Sequence, residues 1–429
     1  MTSPNFLAKE ASALLIRLRQ VKPFSLSMPM VRAASLSEEA EDAIRHLLIQ
    51  GRKKLHKRVS LFIRWMQSPV GKSLPPAEAQ KAYSILKLQF NALLDQLDIF
   101  ADVLTQRGEH DTGIWLAGLD ELAADALDIG NGYFQRPPLI CYLDRGHGAA
   151  IRRARTRLPG GDKNPVGIIR VPRERMVSSG IASSLIHEVG HQGAALLELI
   201  QSMRLELGKV KQQRPAQRQS WELWQRWISE ILADCWSVST LGVGSTIGLM
   251  GVVSLPAYFV FRVNMDDPHP FPWIRVRLSC AIGRALYPDP QWDRLARHWK
   301  AVYPLKHLRP STRSIIQGLE ATMPEFVRLL IGHRSARLKG KALHALFPIG
   351  KHQPARLRKR YRQWQLQPAS IYRERPATVF AVMGQMRADG KVSAEKEHQL
   401  LSNMLRHWAV DRGASMAPAG TAKGIQIRI

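Results

Sequence analysis

The chain is poor in cysteine and in acidic residues, and no long apolar run passes without a charge or a helix-breaking residue. The three cysteines, Cys141, Cys235 and Cys280, are too few and too far apart for a disulfide framework or an all-cysteine zinc site. That pattern points to a reducing compartment, and the cytoplasm is the expected location. Only 35 Asp and Glu stand against 62 Lys and Arg, a net charge of +27. Such a surface attracts phosphates, anionic lipid or acidic protein, which describes a field and not a fold. Near the N-terminus Arg17 and Arg19 break up Leu14, Leu15, Ile16 and Leu18, so no secretory signal core is present, and a short docking helix is expected rather than a transit peptide. The one stretch of membrane length, Ser237 to Phe261, carries no charge but is interrupted by Gly242, Gly244, Gly248, Gly251 and Pro256. No Trp or Tyr belt frames both of its ends, so it reads as a buried helical pair, and membrane contact of the protein is not expected.

What is present is ordinary globular sequence. Over 429 residues, 45% are hydrophobic and 23% charged, with a mean hydropathy of -0.19. This excludes a mainly disordered, collagen-like or multi-span chain and leaves room for two to four domains, or one large domain with extensions. No repeat of 20 to 50 residues is visible, which argues against a solenoid. Helical spacing of apolar residues runs from Ser35 to about Ser68, from Pro76 to Ile99 and from about Ile114 to Leu127. Ser35 and Glu38 are the expected capping box of the first of these. From Pro137 the character changes. Leu139 to Leu143 and Val166 to Val171 read as strands, separated by the turn residues Pro159, Gly160 and Gly161. The expected fold class is α+β, predominantly helical, with a small sheet. The expected organisation is a helical N-terminal region over 1–132, a central domain over 133–304, a basic helical region over 305–412 and a flexible tail over 413–429.

The chemistry follows the second strand, where His187-Glu188-Val189-Gly190-His191 places two imidazoles one helical turn apart on one face. Two histidines so spaced can bind one metal ion, and Glu188 between them can take a proton from a water on that ion. The plain alternative is a helix whose two histidines merely lie near the core. A catalytic zinc site needs a third protein ligand and an open fourth position. The metzincin extension is excluded, because Ala194 and Leu197 stand where it requires Gly and His. Downstream, Trp221 to Ser239 has helical periodicity and contains Glu230-Ile231-Leu232-Ala233-Asp234, two acids one turn apart in an apolar setting.

Together HExxH and Glu-x-x-x-Asp resemble the gluzincin zinc metallopeptidases, over roughly Pro137 to Pro304. The resemblance implies a zincin-like core holding one Zn2+ per chain. His187, His191 and Glu230 would be its ligands, Glu188 the general base, and Asp234 the partner of the free ring nitrogen of His187. It also implies that Val166 to Val171 is an edge strand beside the cleft, where substrate backbone can pair; the same residues equally suit a plain structural strand. In the uncharacterised bacterial branch of this resemblance a histidine follows the glutamate helix. His269, in Asp266-Asp267-Pro268-His269-Pro270, would then stabilise an oxyanion, and Arg275 or Arg277 would hold a substrate carbonyl or carboxylate.

Beyond Pro304, Lys351, Arg356, Arg358, Lys359, Arg360 and Arg362 form an acid-free run followed by Trp364, a combination able to bind nucleic acid or another polyanion, or simply a solvated face. Ala388-Asp389-Gly390 to Glu395 reads as a turn capped by Ser393 between two helices, and is similar to the helical hairpin of tellurite-resistance B-like modules. An EF-hand loop would need alternating acids that are absent. The expected activity is zinc-dependent hydrolysis of a protein or peptide substrate. One alternative is a basic protein- or nucleic-acid-binding protein with a structural or inactive zincin core. Another is a membrane protease anchored through Ser237 to Phe261.

Overall fold

The computed structural model describes residues 3–20, 30–130, 132–144, 149–172 and 179–415. The N-terminal helices are Ser3–Gln20 (α1), Glu38–Gln67 (α2), Pro69–Ser73 (α3), Pro76–Thr105 (α4) and His110–Leu127 (α5). The N-cap of α2 is Ser37, not the expected Ser35: the Ser37 hydroxyl accepts from the Ala40 N–H at 3.3 Å, while Ser35 closes a short 3-10 turn. Strands Leu139–Asp144 (β1), Ala150–Arg152 (β2) and Gly167–Pro172 (β3) form one sheet in the order β1-β3-β2. β1 pairs with β3 in parallel, Leu139 opposite Gly167, and β2 pairs with β3 antiparallel, Ile151 opposite Ile169. The segment expected as an edge strand is therefore the central one. At Ile168 to Arg170 both sides of its backbone are engaged by neighbouring strands, so these residues are not free to pair with an added peptide.

The remaining helices follow as Ser179–Leu196 (α6), Leu199–Gln213 (α7), Arg218–Arg226 (α8), Ile228–Leu241 (α9), Val243–Val253 (α10), Ala257–Val260 (α11), Pro272–Leu286 (α12), Gln291–Val302 (α13), Pro310–Gly332 (α14), Pro354–Leu366 (α15), Pro376–Ala388 (α16) and Ala394–Ser415 (α17). The architecture is predominantly helical α+β. No described helix is long and apolar enough to cross a membrane. Gly242, at φ +58°, ends α9 and starts α10, so the charge-free stretch folds back as consecutive short helices. Its first half is buried, whereas Leu255, Tyr258 and Phe259 near its end are exposed.

Two apolar cores meet at the sheet. Ile140 and Ile168 point into a core built by α1, α2 and α4, while Cys141, Leu143, Ile169 and Val171 point into a larger one shared with α5 and α6. Burial on both faces is why these strands read as continuous apolar runs rather than alternating ones. The larger core extends from Trp115 to Trp408 and takes in α16 and α17, so it crosses the expected boundaries at 132/133 and 304/305. The chain is helical through Ser415, two residues beyond the expected start of the tail at Gly413, which packs against the Ala33 backbone. The rest of that tail lies outside the described residues. The Asp389-Gly390 turn forms as expected, with Gly390 at φ +65° and the Ser393 hydroxyl accepting from the Lys396 N–H at 3.4 Å.

Candidate metal centre

Two helices supply the site because glycine lets them approach. On α6, a Cβ at Gly190 would stand 2.8 Å from the Trp236 Cβ, and one at Gly193 would stand 2.3 Å from the Trp236 ring, on α9. With no side chain at either position, α6 lies directly on α9, and the histidines of one helix reach the acids of the other. α9 begins after a break at Trp227, whose carbonyl accepts from the N–H groups of Glu230 and Ile231 at 3.0 Å. That break sets Glu230 in the first turn of a helix buried along nearly its whole length.

His187 Nε2 lies 3.2 Å, His191 Nε2 3.3 Å and His269 Nε2 3.1 Å from one oxygen, Glu230 Oε2. One ligand atom from each of His187, His191 and Glu230 lies within 4.8 Å of the others, the single group of this kind among the described residues. On the far side of the ring, His187 Nδ1 donates to Asp234 Oδ1 at 2.8 Å. Arg275, from α12, then grips Asp234 with Nε at 2.7 Å and Nη2 at 2.8 Å. The result is a buried chain from Arg275 through Asp234 to His187 that fixes the ring orientation and aims Nε2 at Glu230.

Burial and charge compete throughout this chain. Burial of the His187 ring works to lower its pKa, but the charge and hydrogen bond of Asp234 and the bond to Glu230 outweigh it and raise the pKa to about 9. Burial would raise the Glu230 carboxyl, yet the bonds from His187, His191 and His269 hold it far below the usual carboxylate range. Asp234 is likewise buried and held low by the Arg275 guanidinium. The Glu230 bond first raises His269, against its burial. Glu188 is 7% exposed and has no hydrogen bond or ion pair among the described residues. Its negative charge helps to keep Arg275 protonated. The cluster opens toward solvent on one side, where the His269 side chain is 44% exposed and its Nδ1 is held by Asp267 at 2.8 Å.

Two imidazole nitrogens and a carboxylate oxygen, brought together in a largely buried cluster that is exposed at His269, fit a zinc-type ion with an open coordination position. Of the residues singled out in the sequence, the structure thus gathers His187, Glu188, His191, Glu230, Asp234, His269 and Arg275. Arg275 holds Asp234 rather than standing free toward the open side. Arg277, two residues on, lies on the other side of α12, where it pairs with Glu320 at 2.9 Å and packs over Trp273. The residues that sequence reasoning passed over are Gly190, Gly193 and Asp267. The small residue inside the HExxH motif, and an acid two positions before His269, were the available signals.

The basic run on α15 is partly neutralised. Arg358 bonds Asp389 at 2.8 Å and Asp289 at 3.0 Å, and Arg360 bonds Glu374. Arg356, Lys359 and Arg362 remain exposed, but Trp364 is buried at 6% exposure, so no base can stack on it. Compared with known proteins, the chain matches no family model, no curated protein and no solved structure.

Proposed function

We propose that this protein is a zinc-dependent peptidase of gluzincin type, with a zincin-like core in which His187, His191 and Glu230 hold one ion. The observation that carries the reading is the convergence of both HExxH imidazoles on Glu230, with His187 oriented from behind by Asp234. When bound, zinc supplies a Lewis acid for a carbonyl oxygen and lowers the pKa of a water. Glu188, buried next to His187 in the chain and without a hydrogen bond or ion pair among the described residues, takes the proton of the attacking water and passes it to the leaving amine. His269 is half-exposed at the open side with Nδ1 anchored by Asp267, and it donates from Nε2 to the oxygen that gains charge. Asp234 and Arg275 act through His187 and hold its ring still. Three buried free thiols accord with a reducing compartment, and we place the enzyme in the cytoplasm.

The test combines zinc stoichiometry with turnover on a peptide library. Wild-type protein should carry about one zinc per chain. Glu188→Gln should keep that zinc and lose at least about a hundredfold in turnover, as expected when a general base is removed. A protein that cannot be loaded with metal, or a Glu188→Gln variant with full activity, would overturn the proposal.

A further inference from the structure

Part of the charge surplus lies on a surface that the candidate site does not use. Residues 43–77 contain eight Lys or Arg and no Asp or Glu. Within this stretch Arg45 is paired with Glu41, and Lys54 lies 3.6 Å from Asp162. Lys53, Lys57, Arg58, Arg64 and Lys72 are exposed and make no ion pair among the described residues. The contrast with α15 is direct, because there Arg358 and Arg360 are held by acids of the protein's own fold.

Helical geometry arranges these cations. Leu48, Leu55, Val59, Phe62 and Met66 are the buried stripe of α2. At 100° per residue, Lys53, Lys57 and Arg64 fall on the opposite pole, flanked by a second stripe of Lys54, Arg58, Leu61 and Trp65. Leu61 is 47% exposed and Trp65 37%, and Val70 on α3 is 65% exposed. α3 folds back on the end of α2: the Ser68 hydroxyl accepts from the Gly71 N–H at 3.2 Å, and Gly71 sits so close to the Trp65 carbonyl that any side chain there would collide. An aliphatic, aromatic and cationic surface is thereby gathered at one end of the bundle, with Lys72 beside it.

We propose that this face of α2 and α3 docks the protein on an anionic lipid surface. Phosphate-bearing headgroups complement the unpaired cations, and Leu61, Trp65 and Val70 enter the boundary between headgroups and acyl chains. A nucleic acid would satisfy the cations but leaves the exposed Leu61 and Val70 without a role, so the bilayer is the partner the surface favours. The apolar contribution here is distinct from Ser237–Phe261, and nothing spans the bilayer. The docking face belongs to the core built by α1, α2 and α4, across the sheet from α6 and α9, so it leaves the candidate metal centre open. The inference stands independently of the peptidase reading.

The experiment is co-sedimentation of the full chain with phosphatidylcholine vesicles and with vesicles containing about one-third phosphatidylglycerol, alongside a duplex oligonucleotide. Binding should require the anionic lipid and weaken with salt. With each cation near the surface worth about fivefold in affinity, the Lys53→Glu, Lys57→Glu, Arg58→Glu, Arg64→Glu variant should bind at least about a hundredfold more weakly. Its unchanged melting temperature and helicity would show that it folds. Leu61→Ser with Trp65→Ser should weaken vesicle binding several-fold and leave oligonucleotide binding, if there is any, unaltered. Reversing Arg356, Lys359 and Arg362 to Glu should leave vesicle binding as it was. Equal binding to neutral and anionic vesicles, no binding to either, loss only in the α15 variant, or oligonucleotide binding with vesicle binding indifferent to Leu61 and Trp65 would each overturn the proposal.

Discussion

Single residues carry the site, and their effects separate cleanly. In the proposed site Glu230→Gln removes the charge of a proposed ligand and Asp234→Ala frees the ring of His187, so both should lower zinc affinity as well as turnover, by about tenfold to a hundredfold for the Asp234 variant. Competition with a chelating dye measures the affinity, and a Glu230→Gln protein that holds zinc as tightly as wild type would place the third ligand elsewhere. Away from the site, Arg107 is fully buried and bonds Asp120 at 3.0 and 3.1 Å and the Cys141 carbonyl at 2.6 Å, while Asp120 accepts from the Cys141 N–H. This joins α5 to β1. Asp120→Ala leaves the guanidinium buried without its countercharge and should cost about 3–5 kcal/mol in denaturant unfolding. A loss below about 1 kcal/mol would show that water reaches Arg107. Neither Arg107 nor Asp120 stands out in the sequence, because their 13-residue separation has no helical or strand period to mark it.

At the scale of elements, the closeness of α6 and α9 decides whether the proposed ligands meet. Gly193→Ala drives a methyl group into the Trp236 ring and should destabilise by about 1–3 kcal/mol while lowering zinc affinity, because the helices must part. Gly251→Ala on α10 meets nothing within 4 Å and should be neutral or stabilising by up to about 1 kcal/mol. Thermal melts with and without zinc compare the two, and equal effects would remove the packing argument. Helices and strands were legible from periodicity to within a few residues at most ends. The position of β3 in the middle of the sheet was not, because a strand buried on both faces reads alike whether it lies at the centre or the edge.

Across the whole molecule, the C-terminal helices are part of the main core, and acid tests that attachment. His352 is 3% exposed, donates from Nδ1 to the Thr240 carbonyl on α9 at 2.8 Å, and accepts at Nε2 from the Thr378 hydroxyl on α16 at 3.2 Å. Burial lowers its pKa from 6.5 to about 4. The folded protein therefore binds fewer protons than the unfolded chain between these values. The stability tied to neutral His352 is fully present above about pH 6.5 and is lost as the pH falls toward 4, by on the order of 3 kcal/mol. Urea unfolding from pH 7.5 to 4.5 should show wild type losing more stability than His352→Gln over that window. Parallel curves would dismiss the histidine as the cause.

Sequence alone determined the helical class, the two main strands and the candidate site residues, since each is written in local spacing: period 3.6, short apolar runs, and acids or histidines one turn apart. It also set the charge surplus, which is a matter of counting. Tertiary structure decided which of those charges are free. Arg358, Arg360 and Arg275 are engaged because acids distant in sequence fold against them, and Lys54 on α2 lies near Asp162 in the same way, whereas Lys53, Lys57, Arg58 and Arg64 along α2 meet none among the described residues. It likewise decided that two helices 47 residues apart at His187 and Asp234 touch. Contacts of that range depend on side-chain volume at the helix crossing, and local spacing carries no record of it.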